Sequence, residues 1–258
     1  MKNLIRSIIM AFQMFTILPM PMVEWKKENM KYMLAMLPCV GVVIGLADWL
    51  WLTLCNALRL GSILFAAGVT LLPLFLTGGI HMDGFCDTVD ALSSHADPER
   101  KREILKDSNA GAFAVIFAGA YLLLFFALAT ELPRTGAAVA ALTVHQVLGR
   151  VLGSLSSALF PSASAGGLQH TFRDACARGG AVILMLWALA AAVVMCLFCG
   201  VVNGAVCIIV AALGMLYVRY MSCRQFGGMN GDLAGYINTL AQLLMLLAYI
   251  LVEKVVLL

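Results

Sequence analysis

Residues Ala110–Ala129 read AGAFAVIFAGAYLLLFFALA, twenty positions without a charge, an amide or a proline. At about 1.5 Å of rise per residue, such a helix crosses the roughly 30 Å hydrocarbon core of a bilayer. Hydrocarbon offers the backbone no partners, so a spanning segment must satisfy itself as a helix. Working outward, comparable runs lie at Met33–Ala57, Ser62–Leu76, Gly136–Phe160, Gly180–Cys199, Val201–Met221 and Leu233–Val252. The pattern predicts an all-α integral membrane protein, a single polytopic domain over 1–258 with about seven transmembrane helices. Breaks are expected at Arg59–Gly61, Glu131–Arg134 and Gly200–Asn203.

Composition supports this. The 258 residues are 62% hydrophobic and only 12% charged, with a mean hydropathy of +0.94. Soluble domains are roughly half apolar and about a quarter charged, which excludes a soluble enzyme, a disordered segment or a nucleic-acid module. A net charge of +3 is too small to argue for a polyanionic partner. Most of the eight cysteines sit inside apolar runs, and the Cys196-x-x-Cys199 pair reads as packing rather than a metal or redox site. Residues 1–18 place Leu4, Ile5, Ile8, Ile9, Phe12 and Phe15 beside Lys2 and Arg6. This is an amphipathic helix, interfacial or re-entrant, ended by Pro19 and Pro21. With the N-terminus inside, thirteen of the 17 Lys and Arg residues fall in inner loops and three in outer ones; Arg150 lies within a span. That asymmetry predicts a cytoplasmic N-terminus.

The acids are not spread evenly. Seven of the 14 fall between Asp83 and Asp107, in the segment 77–107 that the charge pattern places on the cytoplasmic side. On a helix of about 100° per residue, Asp87 and Asp90 lie within about 40° of Asp83, so the three carboxylates share one face. Converging acids repel unless a cation sits among them, and Mg²⁺ suits hard oxygen ligands and substrate phosphates. If that helix already includes His81, its ring points about 160° from Asp83. It is then either a base or phosphate donor reoriented by a turn at Gly78-Gly79, or a structural histidine. Asp107 is either the N-cap of the next span or a further ligand. Arg150, costly inside a span, pairs with a phosphate or with one of the carboxylates. The turn Gly227-Gly228-Met-Asn-Gly231-Asp232 offers backbone N–H groups to a phosphate. Arg100-Lys101-Arg102 are expected to face headgroups or solvent, and Asp48 to be a packed carboxyl.

These residues also carry a resemblance. Thr77-Gly-Gly-Ile-His-Met-Asp-Gly-Phe-Cys-Asp-Thr-Val-Asp90 resembles the T-G-G-x-H-x-D-G-x-x-D-T-x-D signature of the cobalamin (5′-phosphate) synthase family, the adenosylcobinamide-GDP ribazoletransferases. Phe12–Pro19 with Pro21, Leu37-Pro38 with Gly41 and Gly45, Ile104–Ser108 with Gly111, Arg150, and Gly227–Gly235 are similar to that family in the same order. The chain departs from it in three places. Asn230-Gly231-Asp232 replaces T-G-D, Thr239 and Gln242 replace two glutamates, and Gly167-Leu168-Gln169 replaces G-L-G.

The resemblance implies a multi-pass transferase of the bacterial inner membrane with a cytoplasmic active site. It would join α-ribazole or its 5′-phosphate to adenosylcobinamide-GDP, release GMP and require Mg²⁺. The implied catalytic set is Asp83, Asp87, Asp90, His81, Asp107 and Arg150, with Asp83, Asp87, Asp90 and Asp107 on the metal. Gly78, Gly79, Gly228, Gly231 and Asp232 would bind ligand. The partners are the two substrates and the lipid bilayer, with no nucleic acid, and a homo-oligomer is compatible with the sequence. Two enzymatic and transport alternatives fit less well. A CDP-alcohol phosphotransferase carries an alanine–arginine pair after Asp-Gly, where this chain has Phe85-Cys86-Asp87. An ion-coupled transporter places charges near the midplane of repeated halves, whereas these acids gather at one face. A purely structural membrane subunit has no use for so dense a set of acids.

Overall fold

The computed structural model describes residues 2–107, 109–163 and 178–256. The elements are α1 (Lys2–Phe15), α2 (Lys27–Met30), α3 (Met33–Met36), α4 (Pro38–Ala57), α5 (Ser62–Thr77), α6 (Ile80–Ser93) and α7 (Pro98–Ile104). They continue as α8 (Ala112–Thr130), α9 (Gly136–Leu159), α10 (Arg178–Cys199) and α11 (Val201–Met221). A five-residue π-helix (Ser222–Phe226) then leads to α12 (Gly231–Val256). Among the described residues there is no strand, only an isolated bridge between Ser162 and Met229.

Among the described residues six helices are long and apolar enough to cross a membrane: α4, α8, α9, α10, α11 and α12. The expected span at Ser62–Leu76 is the exception. α5 has 16 residues and reaches spanning length only together with α6, which departs from it by 93°. The bend is built at Gly78 and Gly79, whose φ angles of 61° and 77° lie in the left-handed region that costs glycine nothing. Gly78 N–H donates to Phe75 O and Gly79 N–H to Leu74 O, the pair of bonds that closes a Schellman turn. α6 thus leaves the line of α5 and packs against α12 and α8.

α9 is the central pillar. In its most apolar window 89% of the residues are buried inside the protein, against 17% for α10, and its mean hydropathy there is 1.3 against 2.8. Lipid accepts apolar side chains, so the outer helices are apolar all round. α9 faces protein instead and carries His145, Gln146, Arg150, Ser154 and Ser157. Small residues let its neighbours approach. A Cβ on Gly41 of α4 would lie 2.9 Å from the Gln146 backbone, and one on Gly153 would lie 2.8 Å from Ala234 O of α12. Close helix contact through small residues replaces the hydrophobic effect as the source of packing energy within a membrane. Asp48 is buried in α4, as expected, and its Oδ1 has no partner.

Candidate active site

α6 is divided lengthwise. His81, Gly84, Phe85, Thr88 and Val89 are buried, and Phe85 stacks on Tyr236 of α12 with ring centroids 5.6 Å apart. Asp83 is exposed, while Asp87 and Asp90 are half-buried. The contact that builds the site is between α6 and the start of α12. A Cβ on Gly84 would stand 2.7 Å from Asp232 O and 2.9 Å from Asp232 Cα. From the other side, a Cβ on Gly235 would lie 3.1 Å from His81 O. The Thr239 hydroxyl adds a hydrogen bond to His81 O at 3.1 Å. Two glycines facing each other thus bring Asp232 beside the α6 acids, within electrostatic reach of Asp83 and Asp87. The sequence supplies the Asp-Gly and Gly-Asp-x-x-Gly pieces 149 positions apart, counted from Asp83 to Asp232, and only the fold shows that they interlock.

Asp83 and Asp232 line a cavity of about 230 Å³ together with His81 and Arg150. Arg150 is 1% exposed; its Nη1 donates to the backbone and side-chain oxygens of Gln146 at 2.9 and 2.8 Å, and its Nε has no partner. None of the expected carboxylates pairs with it, and among the described residues Asp83, Asp87 and Asp232 have no ion-pair partner either. Lining residues His81 and Ser154 also carry a buried polar atom without a partner, Nε2 and Oγ respectively. The cavity therefore presents uncompensated acids on one side and a buried, uncompensated guanidinium on another. His81 lies within the helix, as the reading without a reorienting turn requires, and stacks on Phe15 of α1 at 5.6 Å.

Several expected ligands have other duties. Asp90 Oδ2 accepts from Gly111 N–H at 2.6 Å and Oδ1 from Ala114 N–H at 2.9 Å, so this acid caps α8 from a distance. α8 begins at Ala112 with Gly111 as N-cap, which has no side chain to do that work. Asp107, expected either as that cap or as a further metal ligand, does not cap α8. It is exposed and closes a local turn, accepting from Asn109 N–H and from the Asn109 amide. Those bonds hold its carboxyl below the usual range. The N–H groups of Gly78 and Gly79 are spent on the Schellman turn, and Gly228 N–H donates to Ser222 O at 3.0 Å, so none is free to cradle a phosphate. Gly228 instead allows close passage of residues 161–163: its Cβ would fall 2.6 Å from Ala163 N. Gly231 and Asp232 do line the cavity. Ser108, Arg173 and the Gly167-Leu168-Gln169 segment lie outside the described residues. Lys101 and Arg102, expected to face headgroups or solvent, dock α7 onto the π-helix through Gln225 Oε1 and Phe226 O. Lys101 is buried.

Among the described residues, no three His, Cys, Asp or Glu side chains form a ready-made metal cage. Mg²⁺ needs no such cage, because it is held by one or two carboxylates with water and substrate phosphate completing its shell. The three unpaired carboxylates Asp83, Asp87 and Asp232 are a donor set of that kind, hard and negatively charged.

Fold and site together define a polytopic membrane protein with an acid-lined cavity at one end of its helix bundle. The chain matches the cobalamin-5-phosphate synthase family over residues 7–250, and it belongs to that family. A protein of Lachnoclostridium phytofermentans named adenosylcobinamide-GDP ribazoletransferase is 36% identical over 252 residues, covering 98% of this chain and 96% of the relative. Relatives of the same name from Clostridium perfringens and Desulfitobacterium hafniense are 30% and 33% identical, each with 94% of this chain covered, and with 96% and 95% of the relative. No solved structure matches the chain.

Proposed function

We propose that this protein is an adenosylcobinamide-GDP ribazoletransferase: a hydroxyl of α-ribazole or its 5′-phosphate attacks the cobinamide-side phosphorus of adenosylcobinamide-GDP. The P–O bond to the second phosphate breaks, GMP leaves, and the hydroxyl proton passes to a base. The observation that carries this reading is the meeting of Asp83 and Asp232 with the buried Arg150 on one cavity. Transfer between a diphosphate and an alcohol demands charge neutralisation on the transferred group and an oriented hydroxyl, and little else.

Arg150 stabilises negative charge on the phosphates. Gln146 fixes its orientation through Nη1, leaving the other nitrogens for the substrate. Asp232, steadied by a 3.0 Å hydrogen bond from Asn230 Nδ2, accepts the proton of the attacking hydroxyl. Asp83 and Asp87, with Asp232 beside them, would hold Mg²⁺, which when bound neutralises the diphosphate and steadies the leaving phosphate. Asp90 supports the site from behind by fixing the start of α8 against α6. We place the protein in the bacterial inner membrane with this cavity on the cytoplasmic side, where GDP-activated intermediates are made.

The test uses the protein in nanodiscs with Mg²⁺, adenosylcobinamide-GDP and α-ribazole 5′-phosphate, following GMP and cobamide by chromatography. Equimolar products from the wild type, and none from folded Asp83→Asn, are expected. Cobamide formation by Asp83→Asn at the wild-type rate would remove the carboxylate from the mechanism. Absence of product from the folded wild type would overturn the transferase reading.

A further inference from the structure

The cavity has a second wall that the chemistry above does not use. Met14 and Phe15 from the end of α1, Leu34 of α3 and Leu37 just after it line it beside the polar residues of α6, α9 and α12. Phe15 is an aromatic face backed by the His81 ring, at 20° between planes. None of these four side chains can donate a hydrogen bond, and only the Met14 sulfur is a weak acceptor. The lining is thus amphipathic, with acids and a guanidinium from α6, α12 and α9 and an apolar, partly aromatic set from α1, α3 and Leu37.

Resting on the transferase reading, three bodies compete for this space: the corrin ring, the guanosine and the ribazole nucleoside. A corrin macrocycle carries amide side chains around its rim, which these apolar residues would leave without partners. Guanine brings a carbonyl oxygen and N–H groups on its outer edge. Against Met14, Leu34 and Leu37 every one of them would be buried without a partner, a loss that strongly disfavours such a fit. The base of ribazole is a benzimidazole whose outer edge carries two methyl groups and no donor. Its flat face suits Phe15, its methyl edge suits the aliphatic residues, and its ribose then points to the carboxylates.

We propose that Met14, Phe15, Leu34 and Leu37 form the subsite for the base of the incoming ribazole nucleotide, and that corrin ring and guanosine remain outside the cavity. The end of the N-terminal amphipathic helix is then a determinant of lower-ligand choice. A base with an apolar outer edge is favoured there over a purine.

Two measurements test this in nanodiscs. Binding of α-ribazole is read from its benzimidazole fluorescence without turnover, and KM is measured separately for each substrate. Phe15→Leu is expected to weaken α-ribazole binding and raise the KM for its 5′-phosphate by about fivefold to tenfold, the scale of a lost aromatic pair. The KM for adenosylcobinamide-GDP stays unchanged, and Phe15→Tyr, which keeps the ring, stays near wild type. Should Phe15→Leu fail to fold, Met14→Ala probes the same wall at a half-buried position and is expected to shift the same constant. A rise in KM for adenosylcobinamide-GDP alone would assign the cavity to guanosine and overturn the proposal. So would unchanged constants for both substrates. Ribazole binding that depends on Phe15 in a protein releasing no GMP would support the subsite and sink the transferase reading.

Discussion

Replacing Gly84 with alanine tests the geometry of the site with a single methyl group. The added Cβ would meet Asp232 O at 2.7 Å and Asp232 Cα at 2.9 Å, and both are backbone atoms that no rotamer change can move aside. Regaining an ordinary contact of 3.4 Å requires α6 and the start of α12 to part by about 0.7 Å. Overpacking of this kind costs about 1–3 kcal/mol. The separation opens directly between Asp83 and Asp232, and a displacement of about 1 Å at a reacting centre can cost about a hundredfold in rate. Gly84→Ala is therefore expected to lower kcat/KM for cobamide formation by about tenfold to a hundredfold and to lower the unfolding temperature. Gly119→Ala is the matched control: a Cβ there meets nothing within 4 Å. In mid-helix it should be neutral or stabilise by about 0.5–1 kcal/mol. A Gly84→Ala enzyme with wild-type rate and stability would show that α6 and α12 do not meet as described.

Two further outcomes follow from the capping carboxylates. Asp90→Ala removes both acceptors at the start of α8 and should destabilise the fold by about 1–2 kcal/mol, read as a lower unfolding temperature, whereas the exposed Asp83→Asn should leave that temperature unchanged. Asp97 caps α7 by accepting from Arg100 and Glu99 N–H, and these bonds hold its carboxyl below the usual range. A depressed carboxyl gives its stability above the unfolded value and loses it as pH falls through the folded one. Amide exchange at Glu99 and Arg100 should therefore lose protection as the medium is acidified below the carboxylate range, and Asp97→Asn should remove that dependence.

The membrane-spanning helices were legible because apolar runs are long and the charges between them few. α4, α8, α9, α10 and α11 begin or end within a few residues of the runs that announced them. Asp97 before Pro98 is a helix-start signal of the same local kind, since a cap acts on its own next residues. The interactions that escaped the sequence are all non-local. Asp90 and Asp107 look alike as acids before a span, and nothing in their neighbourhood says that the distant one reaches Gly111. Gly78-Gly79 announced a turn but not its 93° angle, which takes α6 out of the line of α5. Gly84 and Gly235 each look like an ordinary small residue until their helices are laid together. Arg150 was recognisable as significant from its cost in a span, although which groups would surround it was not.

The polarity of α9 bears on how the protein is made. A translocon releases a segment into lipid according to its own apolar character, and an arginine at a helix centre works against release by about 2.5–3.5 kcal/mol. α9 has the lowest mean hydropathy of the six long helices, whereas α8 before it and α10 after it are among the most apolar. Its neighbours can enter the membrane independently; α9 gains its place by docking against them. The helix that brings Arg150 to the acid-lined cavity is the one least able to exist in lipid alone, so a chain that inserts its helices without assembling them has no guanidinium beside the acids of α6 and α12.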